Sequence, residues 1–198
     1  MDTLSHALWG YASLRWRGPR SARWGLLTGA APDLLYAAAA ALHRLYAEGW
    51  EGLRWSGRYD PGIWRRGGPP MPGELLYAYD HFYVYTHSFV ILGAAALAWY
   101  AFSRRPPWLL LPWALHIAMD TFSHERYQTP ILFPFSRWSI EGYAWSRPPM
   151  LIANFTALAL VYALLYRKYW SRSRAPRTQP WPEDLPISAQ EPLQPTAG

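Results

Sequence analysis

A chain of 198 residues with no cysteine and a formal charge of +6 is long enough for one domain with its own core, and it excludes disulfides and thiolate metal ligands. The positive charge is nearly all arginine, with Lys168 as the only lysine. It does not form one stripe with interleaved stacking residues, so direct nucleic-acid binding is not expected.

A first helix is expected over about residues 2–14, with Ser or Thr near its start, and it carries Asp2 and His6 four residues apart. No signal peptide is expected, since no basic region precedes an uninterrupted apolar stretch. The segment WGLLTGAAPDLLYAAAAALHRLY (24–46) is interrupted at Pro32-Asp33, which predicts two short apolar helices and a turn. Asp33 then stands at a helix start, where a carboxylate serves equally well as a plain N-cap. His43, beside Arg44, suits a helix C-terminus better than a metal. The loop 47–80 has Gly, Pro, Arg and Trp without periodicity, so it is expected to be irregular and surface-lying, or to act as a lid.

Residues 81–103 and 148–166 contain no Asp, Glu, Lys or Arg, and each approaches the roughly 20 apolar residues that cross a bilayer. Between them WLLLPWALHIAM (108–119) is shorter and leads into His116, Asp120 and His124. Burial in a large soluble helical core is the competing explanation for these runs. Several are short for full spans, so tilted or half-inserted helices are expected. Thirteen Trp and fourteen Tyr favour the bilayer, because amphipathic rings settle at the headgroup level. From residue 171 the sequence is rich in Pro and polar residues and reads as a disordered tail. The expected organisation is a membrane-embedded helical domain over 1–170 and a tail over 171–198.

Arginines cluster at Arg15, Arg17, Arg20 and Arg23, at Arg104 and Arg105, and, with Lys168, at Arg167, Arg172 and Arg174. The positive-inside rule places all three clusters on the cytoplasmic side. Helices that start or end there carry His6, Asp33, His87 and Asp120 to the opposite face. Arg54, Arg58, Arg65 and Arg66 in the long loop blur this bias.

The chemistry concentrates in the stretch LPWALHIAMDTFSHERY. His116, Asp120 and His124 fall at intervals of four, and each such step turns a helical side chain by only about 40°, so the three share one face. Two imidazoles and a carboxylate on one stripe suit zinc or a similar divalent ion. Three further motifs supply candidates. Met-Asp-Thr-Leu-Ser-His holds Asp2 and His6, Gly-Ala-Ala-Pro-Asp holds Asp33, and His-Phe-Tyr-Val-Tyr-Thr-His-Ser holds His81 and His87. His81 and His87 equally suit a place at the membrane interface. Ionisable groups are costly at membrane depth and usually mark a site there.

In their order and spacing these motifs resemble the YdjM-type inner-membrane proteins, a family described as metal-dependent hydrolases. The resemblance covers roughly residues 1–165 and includes Pro130 and Phe133-Pro134-Phe135-Ser136. That family is distantly similar to zinc phospholipases C and fungal single-strand nucleases. The resemblance implies an all-α, multi-pass membrane helical bundle with a phospholipase-C-like metal site. Asp33, His87, His116 and Asp120 would hold a central ion, and Asp120 would bridge to a second one at His6. Asp2 would stand in for the free N-terminal residue of the soluble enzymes, or that second site is weaker. No histidine follows His124, so one or two ions are expected rather than three, zinc by preference and manganese as the alternative.

The expected function is hydrolysis of phosphoesters, including phospholipid head groups, at a multi-pass site in a bacterial or archaeal membrane. Asp33 would serve as ligand and general base, and Asp120 as the bridging carboxylate. Arg126 or Arg137 could meet a phosphate, although surface charge explains either, and Glu125 is expected to be solvated. The competing reading is a non-enzymatic membrane protein with a structural metal and a regulatory protein partner on its basic face or tail. The family's association with binding a DNA-damage repressor is in line with it.

Overall fold

The computed structural model describes residues 1–53 and 60–173, and every regular element among them is helical. In chain order these are α1 (Thr3–Leu14), α2 (Pro19–Glu48), α3 (Gly73–Ala78), the helical turn α4 (Val84–Thr86), α5 (Phe89–Ser103), α6 (Leu111–Ser123) and α7 (Pro148–Ser173). Short 3-10 turns lie between them, and a π-helical turn over Tyr79–Tyr83 joins α3 to α4. The expected tail lies outside the described residues beyond Ser173, as do Arg54 and Arg58 of the loop.

α1 is capped by Asp2, whose carboxylate accepts from the Ser5 backbone N–H at 2.9 Å and from the Ser5 hydroxyl at 2.6 Å, satisfying donors that the first turn leaves unpaired. Gly18 then reverses the chain at φ 109°, a backbone conformation that glycine adopts without strain. Pro19 opens α2 at the first helical position. The resulting antiparallel pair packs backbone to backbone. A Cβ on Gly10 would collide with the Gly25 carbonyl, one on Gly25 with the Gly10 carbonyl, and one on Gly29 with the His6 carbonyl. Glycines at 25 and 29, one turn apart, form the kind of small-residue seam that lets membrane helices approach closely.

α2 corrects the expected break, because it runs unbroken through Pro32. The proline removes one ladder hydrogen bond and crowds the preceding turn, which packed helices tolerate when neighbours satisfy the freed groups. Here the Gly29 carbonyl in that turn accepts from His116 Nδ1 at 2.7 Å. Asp33 is therefore a mid-helix residue and not an N-cap.

The 47–80 loop also differs from expectation. Ile63, Trp64 and Met71 are buried with Tyr36, Ala39, Ala40, Ala78 and Tyr83 in a core cluster, and α3 occupies the loop's last part. Ile63, Trp64 and Met71 thus pack inward, while Trp50 stays 80% exposed.

Among the described residues two helices are long and apolar enough to cross a membrane, Pro19–Glu51 and Pro148–Tyr169. The pair Gly73–Thr86 and Phe89–Ser103, bent by 46°, would make a third if it is one span. α5 buries none of its residues, and Phe102 and Leu97 are 92% and 71% exposed. A helix that is apolar all round yet uncovered suits lipid as its solvent. The first basic cluster lies against the segments that carry the other two: the Arg15 guanidinium lies 4.0 Å over the Tyr169 ring, and that of Arg17 lies 4.9 Å from the Trp108 ring.

Candidate metal centre

Four donors from three segments converge. Asp33 comes from the middle of α2, His87 from the joint between α4 and α5, and His116 and Asp120 from successive turns of α6. One donor atom from each lies within 4.8 Å of all the others. His87, His116 and Asp120 are buried, while the Asp33 side chain keeps 17% of its surface exposed.

The two imidazoles are oriented by their neighbours. His116 Nδ1 faces the Gly29 carbonyl at 2.7 Å, and His87 Nδ1 faces the Tyr83 carbonyl at 3.1 Å. A carbonyl can only accept, so each Nδ1 carries a hydrogen, and in the neutral tautomer each Nε2 presents a lone pair. The two Nε2 atoms nevertheless stand 3.0 Å apart. Asp120 Oδ2 lies 3.5 Å from His87 Nε2 and 3.6 Å from His116 Nε2, and Asp33 Oδ1 lies 3.8 and 3.6 Å from the same atoms. Two lone pairs and two carboxylate oxygens aimed at one point repel unless a cation lies between them. Ligands about 2.0–2.1 Å from a tetrahedral ion are about 3.3 Å from one another, which is the scale of these separations. A shared proton would join only the two nitrogens and leave both oxygens beyond hydrogen-bond reach. The group can hold a metal ion.

Around these four, further contacts fix the ligands, as outer partners do in metal sites. The Thr3 hydroxyl donates to Asp33 Oδ2 at 2.8 Å. Tyr83 stacks on the His87 ring at 3.6 Å between centroids, and its hydroxyl lies 3.3 Å from Asp120 Oδ2, 3.2 Å from His124 Nδ1 and 2.9 Å from Thr129 Oγ1. Tyr83 closes the π-helical turn, a feature frequent at functional sites. Sequence reasoning missed both residues. The spacing of four between Tyr83 and His87 was a usable signal, whereas nothing local links Thr3 to Asp33.

The remaining expected ligands lie beside the group and outside it. His6 stacks on His116 at 3.6 Å, and its Nε2 is 2.9 Å from Asp120 Oδ1. His6 Nδ1 is buried with no hydrogen-bond partner among the described residues. Asp2 is turned to Ser5 as the helix cap, and it is the Met1 amine that reaches Asp120 Oδ1. His124 does not continue the helical stripe. It is the C-cap of α6 in extended conformation, its Nε2 3.9 Å from Asp120 Oδ2, and Trp64 stacks on its ring at 4.2 Å. Burial under this lid lowers its pKa to about 3.

The arginines and the acid after α6 are engaged elsewhere. Arg126 donates to the Gly68 carbonyl at 3.0 Å, and Arg137 lies 3.4 Å from Asp80. Glu125 is bound rather than solvated, taking two bonds from the Arg147 guanidinium at 2.5 and 2.8 Å and one from the Arg66 N–H at 3.1 Å. The exposed His81 stacks on Tyr77, which also stacks on His43.

Comparisons of the chain with protein-family models, curated proteins and solved structures found no match.

Proposed function

We propose that this chain is a multi-pass membrane protein that hydrolyses phosphoesters, with lipid head groups as the substrate class, at a divalent metal held by Asp33, His87, His116 and Asp120. The observation that supports a metal is the pair of Nε2 lone pairs facing each other at 3.0 Å between two carboxylates. The mixed nitrogen and oxygen set favours zinc, with manganese as the alternative. The resemblance to YdjM-type proteins, with a phospholipase-C-like site, points the same way.

A divalent ion in such a site supplies a bound water of lowered pKa and positive charge opposite phosphoryl oxygens. The protein contributes position and proton handling. His87 and His116 are locked by their Nδ1–H bonds, so their Nε2 atoms need no reorientation. Asp33 is the ligand with exposed surface. It offers Oδ1 to the site and holds Oδ2 against the Thr3 hydroxyl, where it can take a proton from an attacking water. Asp120 uses Oδ2 for this site and Oδ1 towards His6, the division expected of a bridging carboxylate.

A second reading has its own support. Four protein donors already complete a tetrahedron, and closed sets of this kind hold structural ions. The protein would then act through a partner bound at its basic end. Metal analysis of detergent-purified protein, with Asp120→Ala and His116→Ala alongside, tests the site, and release of head groups from phospholipid micelles tests the reaction. One or two equivalents of metal in the wild type, lost in both variants together with hydrolysis, is the expected result. Metal retained without turnover on any phosphoester would favour the structural reading, and well-folded protein without metal would remove both.

A further inference from the structure

A second feature lies about nine residues further along α1, roughly 14 Å from His6 at 1.5 Å per residue. A groove of about 590 Å³ runs between α1, α2 and α7. Leu8 and Tyr11 of α1 and its C-cap Arg15 line it at helical spacing, with Leu26 from α2 and Tyr162 and Tyr169 from α7. The Tyr162 hydroxyl is used up by the Leu8 carbonyl at 2.9 Å, and its ring stacks with Tyr11 at 6.0 Å. The walls therefore present hydrocarbon and ring faces. The charged group among them is Arg15 at the end of the groove, its guanidinium 4.0 Å over the Tyr169 ring. Stacking occupies the face of a guanidinium and leaves its in-plane N–H donors for an anion.

Arg17, Arg20 and Arg23 belong to the same end. α1 and α7 contain no Asp or Glu, and α2 contains only Asp33 and Glu48, both well removed from its basic start. Trp16 and Trp24, each more than half exposed, add the aromatic residues of a membrane–water boundary.

We propose that this groove binds one anionic phospholipid, with an acyl chain along the Leu8, Leu26 and Tyr162 walls and the phosphate at Arg15. An apolar slot that ends at the Arg15 guanidinium at the headgroup level matches that ligand in both parts. A zwitterionic lipid would satisfy only the slot, and free phosphate only the arginine. The proposal rests on the chain lying in a bilayer and not on its metal chemistry. The bound lipid is not the substrate, since its phosphate sits at the opposite end of α1 from the four ligands.

Native mass spectrometry of the full chain in detergent, titrated with phosphatidylglycerol, phosphatidylcholine of the same chains and inorganic phosphate, tests this. One phosphatidylglycerol should be retained, phosphatidylcholine should bind about fivefold more weakly, and phosphate should neither bind nor compete. Arg15→Gln should bring phosphatidylglycerol to the level of phosphatidylcholine, a loss of about fivefold, the worth of one basic residue at such a surface. Leu26→Trp, which fills the slot and leaves the charge, should abolish retention of both lipids with circular dichroism and metal content unchanged. Equal binding of the two lipids by the wild type, undiminished discrimination in Arg15→Gln, or a lipid kept by folded Leu26→Trp would each overturn the proposal. If Leu26→Trp does not fold, the comparison of Arg15→Gln with the wild type decides alone.

Discussion

Thr3→Val isolates what one hydroxyl outside the ligand set does for metal binding. Thr3 is the first residue of α1, and its hydroxyl donates to Asp33 Oδ2 at 2.8 Å while Oδ1 faces the two imidazoles. Valine keeps the branched shape and the Asp2 cap but has no donor. A hydrogen bond to a charged acceptor contributes about 1.5–3 kcal/mol net. Asp33 keeps 17% of its side chain exposed, so water replaces part of that bond and the loss falls at the low end, about 1.4 kcal/mol. Metal affinity should drop roughly tenfold, the lower limit for removing a partner of a metal ligand. Competition with a chromophoric chelator, on metal-free protein reloaded at pH 7, measures it. Thr3→Ser retains the hydroxyl and should stay within about twofold of the wild type on the same reasoning. Wild-type affinity in Thr3→Val, or an equal loss in Thr3→Ser, would refute the argument that the hydroxyl orients Asp33.

The helix seam and the loop after α6 give two further tests. Gly10→Ala and Gly25→Ala each place a methyl group against an opposing backbone carbonyl, with no flexible side chain to yield, so each should lose about 1–3 kcal/mol in thermal unfolding. Gly29→Ala should in addition reduce bound metal, because the carbonyl of that residue orients His116; metal analysis showing a full complement would count against this coupling. Glu125 is held down to about 2, first by its bonds from Arg147. Its folded pKa lies below the ordinary 4.5, so its contribution is present above about pH 4.5 and fades as pH falls towards 2. Wild type should therefore lose more thermal stability between pH 6 and pH 3 than Glu125→Gln, and parallel losses would show that the ion pair contributes nothing.

The four candidate ligands were legible because each sits in a short motif whose residue types are out of place in an apolar chain. His116 and Asp120 also share a helical stripe that needs no tertiary information. His124 shares the spacing but not the helix, since α6 ends one residue before it. A repeat of four cannot say where a helix stops. The break expected at Pro32 failed for a related reason. Local rules count the lost hydrogen bond, while the packing that keeps this turn in place, such as the His116 contact to the Gly29 carbonyl, comes from 87 residues away. The closeness of α1 and α2 was written in Gly10, Gly25 and Gly29, yet these glycines announce a seam only once their partners are known. The stretch around Ile63, Trp64 and Met71 looked irregular because those residues are buried against α2 and Tyr83, which leaves no periodic trace.

The charge of the group argues for the class of ion. Both imidazoles hold Nδ1 against a carbonyl, so as metal ligands they would be neutral donors at Nε2, and Asp33 and Asp120 would bring two negative charges into a cluster of otherwise neutral ligands. A monovalent cation would leave net charge in an apolar bundle, where an uncompensated ion is heavily penalised. A divalent cation balances the two carboxylates. Imidazole nitrogen is a poor ligand for calcium and magnesium, which take oxygen and require six or more positions. Four donors of this kind, spaced for a tetrahedron, favour zinc above the hard divalent ions. Reloading metal-free protein with zinc, manganese, magnesium and calcium in competition should therefore leave zinc bound at the lowest free concentration. Preference for calcium or magnesium would mean that the two histidines are not ligands.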